Sequence, residues 1–158
     1  MKIVVMSDTH LEVIDQGFED LCARFCESAD LVIHLGDFTR AGVLDFLERY
    51  PLEAVVGNMD DEAVLDRLPV KKVIRAGAFR IALIHGWGSA QGLRPKLREQ
   101  FDDVDAILYG HTHEPLVSRE NGLLWFNPGS VTMGRGSIKR SIGLLEVGET
   151  IEPAIIEL

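Results

Sequence analysis

The chain lacks most of what would tie it to an oxidising compartment, a membrane or a polyanion. Cysteine occurs twice in 158 residues, at Cys22 and Cys26. Four apart on a segment with helical spacing, the two share a face and read as small buried thiols. No Cys-x-x-Cys exists, so a thiolate metal site or redox pair is not expected, and the chain reads as reduced and cytoplasmic. No apolar run approaches the ~20 residues that a membrane span needs. Ile3-Val4-Val5-Met6 is too short for the core of a signal peptide and runs straight into Asp8. Basic charge is also scarce. Sixteen Lys and Arg stand against 25 Asp and Glu, a net charge of -9, which leaves no basic stripe for nonspecific nucleic-acid binding. There is no internal repeat, linker or low-complexity stretch. With 46% apolar residues, one compact domain over residues 1–158 is expected.

What the chain does have is five short polar motifs, each after an apolar run: Asp8-Thr9-His10, Gly36-Asp37, Gly57-Asn58-Met59-Asp60, His85-Gly86 and Gly110-His111-Thr112-His113. If those runs are strands of one sheet, all five motifs emerge at the same edge, where open α/β sheets bind ligands. Two Asp, one Asn and four of the five His would then surround one crevice. Seven nitrogen and oxygen ligands are too many for one zinc-like ion and suit two ions sharing a carboxylate. Asp37 is the natural bridge, since a carboxylate can offer one oxygen to each ion. Asp8 and His10, and likewise His111 and His113, would face the same way in extended backbone. Two dications would keep the crevice positive inside an acidic protein, because Asp8, Asp37 and a hydroxide cancel only three of four charges.

The surrounding pattern is that of an α/β protein. Strands are expected at 2–6, 31–35, 53–56 and 105–109, with helices at 15–28 and 41–49 between the first three. That alternation signals a parallel sheet with crossover helices. Later segments read as hairpins: 70–74 with 79–84 around Arg75-Ala76-Gly77-Ala78, 116–120 with 123–126 around Asn121-Gly122, and 141–147 with 151–156 around Gly148-Glu149-Thr150. A short basic helix is expected at 93–101, with Pro95 confined to its first turn. Two sheets packed face to face with helices outside accommodate the mixture.

Together the motifs resemble the calcineurin-like metallophosphoesterase superfamily, with its ordered signature Asp-x-His, Gly-Asp, Gly-Asn-His-Asp/Glu, Gly/Ala-His and Gly-His-x-His. The likeness spans Asp8 to His113 and continues in Asn127-Pro128-Gly129-Ser130. With the small size and short spacers, it looks like the YfcE-like small phosphodiesterases, which are also similar to the retromer subunit of the same fold. The resemblance implies a four-layer α/β/β/α sandwich. It implies one metal held by Asp8, His10, Asp37 and His113, and a second held by Asp37, Asn58, His85 and His111. Manganese comes first, with nickel, iron or zinc as alternatives.

The function that follows is a hydrolase, a phosphodiesterase with a binuclear metal centre. Two divalent ions ~3.5–4 Å apart would share Asp37 and generate a bridging hydroxide that attacks a small phosphodiester in line. Asp37, Asn58, His85 and Asp60 are the candidate catalytic residues. Arg135 and Asn58 are the candidate substrate-binding residues. The chain departs from the larger phosphatases of the superfamily, which carry a leaving-group-protonating histidine and an aspartate that orients it. Here those positions hold Met59 and Arg40, so leaving groups of low pKa should be favoured. A phosphomonoesterase or nuclease on the same fold, and a non-catalytic retromer-like scaffold, are the alternatives. Outside the motifs, His34 reads as a core histidine able to orient a neighbouring ligand, and Trp87 as a pocket wall or a surface on which a base stacks. Asp61, Glu62, Arg94, Lys96 and Arg98 read as solvated faces. An exposed apolar hairpin at 123–126 would offer a surface for homo-oligomer pairing.

Overall fold

The computed structural model describes residues 1–132 and 139–158. Its first sheet is built on three parallel strands, β1 (Lys2–Met6), β2 (Leu31–His34) and β3 (Leu52–Ala54). Helix α1 (Gln16–Phe25) links β1 to β2, and α2 (Ala41–Leu47) links β2 to β3. The short α3 (Glu62–Leu65) leads to the second sheet, in which β4 (Lys71–Ala76) pairs antiparallel with β5 (Phe79–Ile84). After α4 (Leu93–Arg98), β6 (Ala106–Tyr109) lies parallel to β5. The β7 (Leu116–Glu120) and β8 (Leu123–Asn127) hairpin then places β8 parallel to β6. The last hairpin, β9 (Ser141–Val147) and β10 (Ile151–Glu157), returns to the first sheet. The strand orders are β10-β9-β1-β2-β3 and β4-β5-β6-β8-β7.

Period-two alternation explains why the central strands are apolar on both sides. Ile3, Val5, Ile33 and Leu35 point between the sheets and meet Ile81, Leu83, Leu108 and Phe126. Val4, Met6 and Val32 point outward onto Phe18, Cys22, Leu44 and Leu47 of α1 and α2. Ala82, Ile84 and Ile107 face Leu93 and Leu97 of α4. The result is an α/β/β/α sandwich, as the sequence implies. Cys22 and Cys26 are free and buried. Among the described residues no helix is long and apolar enough to cross a membrane.

Several expectations change. The motif-bearing strands do not form one sheet: the first three motifs follow β1, β2 and β3, while His85 and Gly110 follow β5 and β6 in the other sheet. The crevice therefore lies where the carboxyl ends of two sheets meet. The solvated face expected at Asp61 and Glu62 belongs to the short helix α3: Glu62 is exposed, and the Asp61 side chain caps the helix by accepting from Val64 N–H. Strand β4 runs on to Ala76, in register with Phe79, so its turn is Gly77-Ala78 alone. The segment 123–126 is not an exposed edge. Strand β8 lies between β6 and β7, and Leu124, Trp125 and Phe126 are buried, so it offers no apolar pairing surface.

Candidate metal centre

Among the described residues, two clusters of potential ligands form at the strand ends: Asp8, His10 and His113, and Asp8, Asp37 and His85. His10 Nε2 lies 3.8 Å from Asp8 Oδ1, 3.6 Å from Asp37 Oδ2 and 3.4 Å from His113 Nε2. His85 Nε2 lies 3.3 Å from Asp37 Oδ2 and 3.9 Å from Asp8 Oδ1. His111 sits beside His85, with ring centroids 5.4 Å apart. His111 Nδ1 lies 3.0 Å from Asn58 Oδ1. Arg135 falls outside the described residues.

The backbone that aims these groups is not extended, as the motif spacing had implied. Asp8, His10, Asp37, His111 and His113 all have φ between 47° and 67°, in the left-handed region. That region is sparsely populated by non-glycine residues and persists only where neighbours over-determine it. Asp8 N–H donates to Gly36 C=O and His10 N–H to Asp37 C=O, each at 3.0 Å, which locks the first two motifs together. Gly57 allows the third motif to approach; a Cβ there would overlap the Asp37 carboxylate.

Hydrogen bonds outside the crevice fix which atoms face into it. Leu35 C=O accepts from His85 Nδ1 at 2.7 Å, so Nε2 carries a lone pair. Gly88 C=O accepts from His111 Nε2 at 2.8 Å, which leaves a lone pair on Nδ1. Asp8 Oδ2 accepts from the Ser7 hydroxyl at 2.6 Å and from His111 N–H at 3.1 Å. Asp8 Oδ1 and His85 Nε2 are buried without a hydrogen-bond partner, and His113 Nδ1 is too. In the neutral ring that buried lone pair faces two carboxylate oxygens, which is repulsive unless a proton or a metal cation stands between them. The donor set of imidazole, carboxylate and amide, without thiolate, therefore fits a borderline divalent ion.

The charges point the same way. Burial opposes ionisation of Asp8, but His113, His85 and the Ser7 hydroxyl outweigh it and hold the carboxyl below its usual range. Burial likewise opposes ionisation of Asp37, and His85, Met59 N–H and His10 outweigh it. In His85, burial works against the charged form, but Asp37 and Asp8 outweigh it and raise its pKa. Burial pushes His10 down. The crevice thus presents two carboxylates that draw in positive charge.

Asp60, one of the candidate catalytic residues, is engaged by backbone. Nine per cent exposed, it accepts backbone N–H groups from Gly57 at 2.7 Å, Thr39 at 2.8 Å and Asp37 at 3.2 Å. Its oxygens fasten the second motif to the third as acceptors of these three bonds. Met59 is 50% exposed and Arg40 pairs with Glu12, so neither replaces the missing acid. Trp87, two residues after His85, is 42% exposed. Residues the motifs did not single out also hold the site. Ser130 Oγ donates to Asp8 C=O, and Asn127 Nδ2 donates to Gly110 C=O and Thr112 Oγ1. The Asn-Pro-Gly-Ser stretch was visible in the sequence, but this bracing role needed the fold.

Burial pushes the His34 imidazole down to about 3 from 6.5. Between those values the unfolded chain binds a proton that the folded chain refuses, so stability falls as pH drops from about 6.5 toward 3. In chelator-treated protein, the urea midpoint should fall more steeply between pH 7 and 5 than in His34→Gln. The contribution at stake is on the order of a few kcal/mol. Equal slopes would remove His34 as the cause.

This centre is that of a metal-dependent phosphoesterase, and the chain belongs to the calcineurin-like phosphoesterase superfamily, whose domain it matches over residues 1–150. It is 37% identical to a probable metallophosphoesterase of Methanocaldococcus jannaschii, over all of this chain and 82% of the relative. It is 28% identical to phosphodiesterase YfcE of Escherichia coli, over 92% of this chain and 88% of that one. A solved structure of Vps29 from Entamoeba histolytica, complexed with zinc, has a TM-score of 0.75 at 24% identity, covering 99% of each chain. At that identity the likeness shows the fold alone.

Proposed function

We propose that this protein is a cytoplasmic, manganese-dependent phosphodiesterase with a two-ion centre. Asp8, His10, Asp37 and His113 would hold one ion, and Asp37, Asn58, His85 and His111 the other. When bound, the ions would acidify a shared water and neutralise charge on the phosphoryl oxygens. The observation that carries this reading is the buried His85 Nε2, which faces the Asp37 and Asp8 carboxylates without a hydrogen-bond partner. Leu35 C=O keeps that imidazole in one tautomer, and Gly88 C=O does the same for His111, so ligand atoms are oriented before any substrate arrives. The Asn58 amide is exposed beside His111, where it can also reach a phosphoryl oxygen.

Nothing in this set donates a proton to the leaving group, because Asp60 is committed to backbone N–H groups. Turnover should therefore rise steeply as the leaving group's own pKa falls. The test uses protein stripped with chelator, then bis-p-nitrophenyl phosphate and p-nitrophenyl phosphate with and without manganese. Metal-restored diester turnover at least about tenfold above the monoester is expected, with alkyl diesters slower than aryl ones by about 10² or more. Monoester preference would make the protein a phosphatase. No turnover with any divalent ion would leave the scaffold reading.

A further inference from the structure

His34 is buried with 0% exposure at the end of β2, and it is the one histidine outside the metal-binding motifs. Both ring nitrogens are engaged. Gly36 N–H donates to Nδ1 at 3.2 Å, so Nδ1 carries a lone pair and Nε2 the hydrogen. Nε2 then donates to Thr9 Oγ1 at 2.7 Å. The ring is clamped by stacking on Phe38, centroid to centroid 3.6 Å. Thr9 lies between Asp8 and His10, and Gly36 directly precedes Asp37. One neutral imidazole therefore spans the first two motifs behind the crevice. Those motifs carry three non-glycine residues in the left-handed region: Asp8, His10 and Asp37. Such turns relax when the contacts that hold them are lost.

We infer that His34 is a positioning residue, a strut that holds Asp8, His10 and Asp37 at divalent-metal distance through Thr9 and Gly36. This rests on the metal-binding reading above. A packing residue of the same shape would support the fold equally well. A strut acts on metal affinity, and only through the Thr9 hydroxyl and the Gly36 amide.

The test is calorimetric titration of Mn²⁺ into chelator-stripped wild type, His34→Leu, His34→Gln, Thr9→Val and the double variant His34→Leu/Thr9→Val. Melting temperatures of the stripped proteins are measured in parallel. Each of His34→Leu and Thr9→Val should weaken Mn²⁺ binding by about 10- to 100-fold. The double variant should bind within about threefold of the weaker single variant, since one strut cannot be lost twice. His34→Gln places an amide N–H near the Nε2 position and should bind more tightly than His34→Leu. If both single variants bind Mn²⁺ within about threefold of wild type, whatever their melting temperatures, the strut is refuted and His34 is packing alone. Should His34→Leu fail to fold, Thr9→Val, which keeps the side-chain shape, decides by the same criterion. A wild type that binds no Mn²⁺ overturns both the metal-binding reading and this inference; a wild type that binds beside unaffected variants overturns the inference only.

Discussion

Asp37→Asn should lower hydrolysis of bis-p-nitrophenyl phosphate by about 10³-fold or more while leaving the metal-free fold intact. Asp37 Oδ1 accepts from Met59 N–H at 2.8 Å, and an asparagine carbonyl in the same position can keep that bond. Asp37 Oδ2 faces His85 Nε2 at 3.3 Å and His10 Nε2 at 3.6 Å. Replacing this oxygen by an amide N–H removes a carboxylate that His85, Met59 N–H and His10 hold ionised in the fold. Stripped Asp37→Asn should therefore melt somewhat below stripped wild type, because that ionised carboxylate stabilises the fold at neutral pH. With metal present the gap should widen, because the carboxylate proposed to serve both ions is gone. Titration should show weaker binding and fewer ions per chain. The widening matters: a variant that lost activity by unfolding alone would lose stability equally with and without metal. Retention of activity within about tenfold would remove Asp37 from the centre of the mechanism.

The sequence made the strand ends legible because it made the strands legible. Residues 3–6 and 106–109 are apolar throughout, and in the fold β1 and β6 are covered on both sides, one by the other sheet and one by helices. The Asn121-Gly122 turn was equally readable: both residues have positive φ, at 51° and 84°, as a two-residue hairpin of this kind requires. Other features depend on contacts between segments far apart in the chain. Helix α3 has four residues, too few for a periodic signal, and its capping aspartate looks like any surface acid. The division of the five motifs between two sheets leaves no trace in their spacing, since either arrangement brings strand ends together. The sequence shows Asp60 only as an acid inside a motif. Its three N–H donors belong to two loops that become neighbours only in the fold. The left-handed φ values of the ligand residues were likewise hidden, since Asp and His are not glycine and gave no local cue.

The second large effect is expected where the two sheets touch beneath the crevice. Gly110→Ala should destabilise the stripped protein by ~1–3 kcal/mol and weaken Mn²⁺ binding by about 10- to 100-fold. A Cβ on residue 110 would overlap Ser7 Oγ and stand 2.9 Å from Asp8 Oδ2. The backbone has no room to retreat. Gly110 N–H donates to His85 C=O at 3.0 Å, and Gly110 C=O accepts from Asn127 Nδ2 at 3.0 Å and from Thr112 N–H at 2.8 Å. The strain must therefore pass to Ser7 and Asp8, on the opposing strand end. Ser7→Ala alone loses the 2.6 Å hydroxyl bond to Asp8 Oδ2, a cost of about 1 kcal/mol. Combined with Gly110→Ala, it also removes the atom that the new Cβ strikes. The double variant should thus be more stable than the sum of the single losses by ~1 kcal/mol, read from urea midpoints. Mn²⁺ affinity should not recover with it, because Asp8 would still lack its hydroxyl donor and the Cβ would still crowd Oδ2. Additive stabilities would mean that the two strand ends do not press on one another at Gly110 and Ser7. Recovered affinity would mean that Asp8 does not need the Ser7 hydroxyl to present its other oxygen to the metal.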